Sequence, residues 1–313
     1  MRTRGFHRFF VTLLTGLVIS SPLAAQSMEG NGAVATGLLL RQLDGVKRVL
    51  MIGAHPDDED TGLLTTLARG WGVETAYLSL TRGGGGQNLI GPELFEGLGI
   101  IRSGELVASR SLDGGAQFFT RAFDYGFSKS ANEALSLWPT EELLADVVWV
   151  IRQFRPHVVV SVFSGTPQDG HGQHQAAGIM ARQAFSAAGD PSRFSGQLSR
   201  GVEVWAPDKL YESARGFFRS GGDPPADAIQ IQMGSRDPLL GRSLYQLSRE
   251  SRSQHRSQDM GAIQAPGLRA TGLRFIESRV GGEEGGIFEG VDTTLVGLTA
   301  VLPSAEAAAT RRH

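Results

Sequence analysis

Two short clusters in this 313-residue chain hold side chains that can bind a metal or move a proton. The first is His55-Pro56-Asp57-Asp58-Glu59, which follows the apolar run Arg48–Ala54 without a spacer. The second is His171-Gly172-Gln173-His174, at the start of an alanine-rich stretch. His55 and Asp58 offer a nitrogen and an oxygen three positions apart, and His171 and His174 repeat that spacing. A catalytic zinc needs three protein ligands and an open position for water. The two clusters supply four candidate donors. The competing explanation is a helix start, because Asp57, Asp58 and Glu59 suit the positive end of a helix dipole. That accounts for one or two of the acids, but not for a histidine at the exit of a buried strand.

The elements around these clusters read as alternating strands and helices. Arg48–Ala54 and His157–Phe163 are short, continuous apolar runs rich in branched residues, as expected of strands covered on both faces. Val73–Thr81 is a third such strand, and Val202–Pro207 and Asp208–Ser213 are candidates for later ones. Helical patterns lie between them at 60–72, at 139–156 with Pro139 and an acidic first turn at its start, and at 174–189. This order predicts an α/β, Rossmann-like, mostly parallel sheet with helices on both faces. Ligands of such sheets sit outside the carboxyl ends of the strands. That rule brings His55–Glu59, the stretch Thr81–Asn88 and the 164–175 segment to one edge. Residues 240–261 read as one helix ending at Gly261.

Composition narrows the class. The apolar share of 41% and charged share of 20% are those of a globular protein. Residues 1–25 place Arg2, Arg4 and Arg8 before an apolar run and then small residues, the order of a secretory signal cleaved after Ala25. The run is short of the ~20 apolar residues a membrane span needs, so no stable span is expected after cleavage; an uncleaved anchor is the alternative. Export to the periplasm or the extracellular space is therefore expected. There is no cysteine, which excludes a disulfide framework and a lipid anchor on that residue. Without residues 1–25 the chain holds 27 basic and 32 acidic residues and no basic tract, so nucleic acid is not an expected partner. The expected organisation is a signal at 1–25, a lead-in at 26–45, one catalytic domain at 46–302 and a tail at 303–313.

Ala54-His55-Pro56-Asp57-Asp58-Glu59 after a first strand, with His-x-x-His after a later one, resembles the PIG-L/LmbE-like zinc-dependent de-N-acetylases. Further segments carry the likeness. Thr81–Asn88 is similar to the family's Thr-Arg-Gly-x-Gly-Gly, residues 102–114 to its Arg-x-x-Glu-x-x-Ala-x-x-x-Leu-x-Gly helix, and Ser253–Gln258 to a late His-x-Ser-Gln. The resemblance implies Zn2+ held by His55, Asp58 and His174, with Asp57 as general base and His171 as general acid or oxyanion stabiliser. Glu59, next to these groups, is expected to orient His55 or a backbone amide. Arg102 corresponds to an arginine that contacts substrate in the family, the other reading being a solvated helix arginine paired with Glu105. Arg82 and the glycines 83–86 form a wall that a ligand approaches closely, or else a flexible loop. His255 is a further candidate substrate contact, with a surface helix position as the alternative. Gln173 stands where the family often has an aspartate, so it accepts a hydrogen bond next to the metal site without bringing charge.

The activity so implied is removal of an acetyl group from an N-acetylated sugar or glycoconjugate. The rival is a noncatalytic carbohydrate- or ligand-binding domain whose zinc is structural. His and Asp ligands also accept iron or cobalt.

Overall fold

The computed structural model describes residues 32–214, 224–267, 269–281, 285–294 and 297. The expected signal at 1–25 and tail at 303–313 lie outside them. Helix α1 (Ala33–Gln42) precedes β1 (Arg48–Gly53), whose residues alternate between two cores: Leu50 and Ile52 face one, Val49 and Met51 the other. This is the double burial that a continuous apolar run requires. Asp60, not the acids before it, caps α2 (Thr61–Thr65): its Oδ1 accepts from the Gly62 and Leu63 amides at 3.0 and 3.1 Å. The helix-start reading of the acidic cluster thus applies to a residue one position later, and Asp57, Asp58 and Glu59 are left for other partners.

A π-helical turn at Thr66–Gly70 leads to β2 (Glu74–Ser79), then α3 (Phe95–Asp113) and β3 (Ala116–Phe119). Helix α4 (Ala131–Leu137) and α5 (Thr140–Phe154) follow; α5 starts after Pro139 with Glu141 and Glu142 in its first turn and stops at the left-handed Arg155 before Pro156. Strand β4 (Val158–Ser161), α6 (Gly172–Ala187) and β5 (Lys209–Ser213) complete the parallel part. Strand β6 (Ile229–Gln232), the small β7 (Arg236–Asp237) and β8 (Arg242–Ser243) pair, α7 (Leu244–Arg252) and β9 (Ala270–Ser278) follow among the described residues. The main sheet runs β3-β2-β1-β4-β5-β9-β6, parallel from β3 to β5, with β9 antiparallel to both of its neighbours. Strand order reverses between β1 and β4, so a crevice opens at their carboxyl ends. No helix among the described residues is long and apolar enough to cross a membrane.

Two expectations are corrected. Val202–Pro207 is not a strand; it is an irregular run into β5, fastened by the Trp205 indole donating to the Pro156 carbonyl at 2.6 Å. Residues 240–261 are not one helix either. Helix α7 ends at Arg252, and a 3-10 turn (Arg256–Gln258) follows, with Asp259 left-handed after it. The break folds His255 inward to a carboxylate, Glu59, which outweighs the local helical pattern.

His157, at the amino end of β4, is structural. Its Nδ1 accepts from the Arg48 amide at 3.2 Å, which fits a neutral ring, and burial followed by Arg48 pushes its pKa down to about 4. An unfolded histidine titrates near pH 6.5, so between about pH 6.5 and 4 the unfolded chain takes up a proton that the folded chain refuses. Stability should therefore fall as pH drops through that window. Urea midpoints at pH 7, 6 and 5 are expected to fall less steeply in His157→Gln than in the parent.

Candidate metal centre

The first cluster is shaped where β1 ends. A Cβ on Gly53 would lie 2.4 Å from the Tyr77 hydroxyl and 3.1 Å from the Asp58 Cβ, so only glycine fits. The Tyr77 hydroxyl donates to the His55 carbonyl at 2.6 Å. Asp58 folds back, and its Oδ2 accepts from the Ala54 and His55 amides at 2.9 and 2.7 Å. Its carboxylate then faces two histidines, with Oδ2 3.5 Å from His55 Nδ1 and Oδ1 3.3 Å from His174 Nε2.

His174 reaches this point from the first turn of α6. Its Nδ1 donates to the Asp169 carbonyl at 3.0 Å, so a neutral ring turns the Nε2 lone pair towards Asp58. A lone pair and a carboxylate oxygen at that range repel unless a proton or a cation lies between them. Burial works to raise the Asp58 carboxyl, but His174 and His55 outweigh it and hold it well below the usual range. Ligand nitrogens of His55, His171 and His174 all lie within 4.8 Å of one another. Nitrogen donors converging beside a fixed carboxylate suit a divalent cation. The convergent group differs from the expected one in two respects. His171, expected as an acid, joins the histidine group, and Asp58, expected as a ligand, stands beside it with one oxygen already committed to two amides.

Gln173 governs His171. Its Oε1 accepts from the Ser128 amide at 3.2 Å, the Ser128 hydroxyl at 2.6 Å and His171 Nδ1 at 2.8 Å, while its Nε2 donates to the Gly126 carbonyl. The amide orientation is thereby pinned, and a neutral His171 carries its proton on Nδ1 with Nε2 bare. Burial, then His174 and His55, push the His171 pKa down to about 4. Gly172 is equally constrained, since a Cβ would lie 2.0 Å from the Ser130 carbonyl oxygen and its amide donates to Ser128 at 2.8 Å.

Asp57 has a left-handed backbone, φ 101°. Its amide donates to Glu59 Oε2 at 2.9 Å, its carbonyl accepts from Arg252, and its Oδ1 pairs with Arg102 at 3.1 Å. Burial raises the Asp57 carboxyl and Arg102 opposes the rise. Glu59 is wholly buried, with Oε1 accepting from Arg110 at 3.1 Å and from His255 Nε2 at 2.7 Å. Of its two expected partners, it therefore holds a backbone amide, that of Asp57, and not His55.

Arg102 is buried. It donates to the Pro56 carbonyl and, at 3.0 Å, to the Gly83 carbonyl, and Glu105 instead binds Ser257; Arg102 is not a solvated arginine. Cβ atoms on Gly83 and Gly86 would come within 2.4 and 2.7 Å of its Nη1, so these glycines make room for Arg102. Arg82 is corrected as a substrate contact. It is exposed, lies 4.1 Å over the Phe119 ring and donates to the Ser103 hydroxyl, away from the cavity. His255 is corrected too, being enclosed behind Glu59 and neither exposed nor on the cavity wall.

The cavity measures about 460 Å³ and is walled by the three histidines, Asp57, Asp58, Arg102, Arg252, Asp124, Phe127, Gln258 and Met260 among others. Asp124, with Oδ1 3.9 Å from His55 Nε2, stands in a stretch with no distinctive spacing. Arg252 falls inside the stretch read as one helix. Neither carried a signal in the sequence.

Residues 50–185 match the family model described as PIG-L: GlcNAc-PI de-N-acetylase. Over that segment the chain is similar to the PIG-L/LmbE-like de-N-acetylases. It is 32% identical over 198 residues to a 1D-myo-inositol 2-acetamido-2-deoxy-alpha-D-glucopyranoside deacetylase of Kineococcus radiotolerans, covering 55% of this chain and 53% of that one. It is 32% identical over 160 residues to a diacetylchitobiose deacetylase of Thermococcus kodakarensis, covering 50% and 56%. The chain thus spans little more than half the length of these relatives. The fold is shared with N,N'-diacetylchitobiose deacetylase from Pyrococcus horikoshii, at a TM-score of 0.54 and 17% identity over 80% of this chain and 89% of that one. It is also shared with 4-carboxy-2-hydroxymuconate hydratase from Pseudomonas putida KT2440, at 0.50 and 14% over 76% and 99%.

Because Tyr77 is fully buried, its hydroxyl cannot swing clear of a new methyl group. Gly53→Ala is expected to cost roughly 1–3 kcal/mol, the range for overpacking a filled site. In a Tyr77→Phe background the additional loss should be smaller, as read from urea unfolding of the four proteins.

Proposed function

We propose that this protein is a metal-dependent hydrolase that removes the acetyl group from an N-acetylated amino sugar or a similar small amide. The observation that carries this reading is the convergence of His55, His171 and His174 with Asp57 and Asp58 on one cavity. Two relatives bear the names of deacetylases of N-acetylated sugars, which supports the substrate class. The fold does not decide the reaction, since a hydratase shares it.

His55 and His174 would hold the metal, taken to be zinc, with Asp58 completing the set. A metal there supplies positive charge that polarises the amide carbonyl and acidifies a water. Asp57, anchored at one oxygen by Arg102, accepts the proton of the attacking water at its carboxylate. His171, fixed through Nδ1 by Gln173, has Nε2 bare when neutral, so it can donate to the tetrahedral oxyanion or to the departing amine only after Nε2 has taken up a proton, such as the one Asp57 removes from the water. Arg102 lies on the wall against which the sugar would sit. Export through residues 1–25 belongs to the proposal, and a secreted product beginning at Gln26 would support it.

Asp57→Asn is expected to retain metal at the parent stoichiometry. Its acetate release from N-acetylated sugars should fall by about 10²–10⁴, the usual contribution of a positioned base. Parent-like turnover would remove Asp57 from the role of base, and metal with no turnover in the parent on any N-acetyl sugar would favour a binding domain. His171→Ala separates the two roles open to that ring. Retained metal with reduced kcat is expected, whereas loss of metal by elemental analysis would make His171 a ligand.

A further inference from the structure

We propose that Arg252 and Glu59 are positioning residues that clamp Asp57 in its left-handed backbone and so aim its carboxylate into the cavity. The inference rests on the reading of Asp57 as the base. Residues other than glycine avoid positive φ because Cβ crowds the backbone, and 101° lies beyond even the left-handed helical region that aspartate visits most readily. Such a conformation persists where its surroundings over-determine it.

Here both peptide groups flanking Asp57 are fixed. In the 56–57 peptide the Pro56 carbonyl accepts from Arg102, and the Asp57 amide donates to Glu59 Oε2 at 2.9 Å. In the 57–58 peptide the Asp57 carbonyl accepts from Arg252 Nη1, which also reaches the Glu59 carbonyl at 3.3 Å, and the Asp58 amide donates to the His55 carbonyl. Glu59 cannot drift, because Arg110 and His255 hold its other oxygen from behind at 3.1 and 2.7 Å. An ordinary tight turn would take glycine at position 57 and need no such bracing. The bracing lets an aspartate stand there, with Oδ1 towards Arg102 and the side chain on the cavity wall. Arg252 and His255 lie outside residues 50–185, so the clamp is closed by a part of the chain beyond the segment the family model matches.

The test compares the parent with Arg252→Met, which keeps the length of the side chain, and Arg252→Lys, which can still donate. Asp57→Gly and Asp57→Asn are made in the parent and in Arg252→Met. Purified, metal-loaded proteins are assayed for urea midpoint, metal content and acetate release from N,N'-diacetylchitobiose. With Arg252 in place, glycine at position 57 is expected to unfold at higher urea than asparagine, because glycine adopts this φ without strain. In Arg252→Met that difference should shrink, since residue 57 is then free to relax. Arg252→Met should keep its metal and its KM within about twofold while kcat falls roughly 10- to 100-fold, as for a displaced catalytic group, and Arg252→Lys should recover part of the loss. A glycine-over-asparagine difference that ignores Arg252→Met overturns the clamp. So does an unchanged kcat, or a rise in KM alone, which would make Arg252 a substrate contact. Turnover by Asp57→Asn at the parent rate would instead sink the base, and the urea comparison would still decide the clamp. If diacetylchitobiose is not turned over, that comparison decides it alone.

Discussion

Three consecutive carboxylates, Asp57, Asp58 and Glu59, sit at the carboxyl edge of the sheet with little access to water, and the rest of the site is arranged around that burden. An unpaired buried charge is too costly for a marginally stable fold to carry. Each acid is therefore met by a different part of the chain: Asp57 by Arg102, Asp58 by His55 and His174, and Glu59 by Arg110 and His255. Breaking one of these pairs would leave a buried charge uncompensated, which is far more destabilising than the pair is stabilising. The network thus fixes how α3, α6 and the segment after α7 sit relative to β1.

Helix α3 is the common support. Arg102 and Arg110, eight residues apart on it, serve Asp57 and Glu59, and between them Glu105 accepts from the Ser257 amide and hydroxyl, both at 2.7 Å. Ser109 and Asp113 both bind Ser251 on α7. One face of α3 therefore carries the far end of the chain to the back of the cluster. The glycines at 83 and 86 are part of the same arrangement, since they let the Arg102 guanidinium lie against the loop after β2.

Much of the fold was legible because it depends on short-range pattern. The runs at 48–54, 73–81 and 157–163 are strands, and the stretches at 139–156 and 174–189 are helical, since burial on two faces or one leaves a periodicity that neighbours in sequence report. The β9 and β6 pairing and the end of α7 at Arg252 were not legible. Strand β9 is held by partners on β5 and β6, and α7 stops because Glu59, 196 residues from His255 in sequence, draws that ring inward.

The candidate site divides along the same line. The sequence by itself determined which side chains could ligate and which strand ends they leave, because His55, Asp58, His171 and His174 announce themselves by type and spacing. It also determined that they would meet, since parallel strands deliver their carboxyl ends to one edge. Only the tertiary structure decided what each residue does there. It turned His255 from a candidate substrate contact into the buried partner of Glu59 and moved Arg82 out of the cavity. It brought in Asp124 and Arg252, and it bent Asp57 into a conformation that nothing local favours. These outcomes depend on charges that must find counter-charges once water is removed. Which counter-charge lies within reach is a property of the packed chain and not of any short stretch of it.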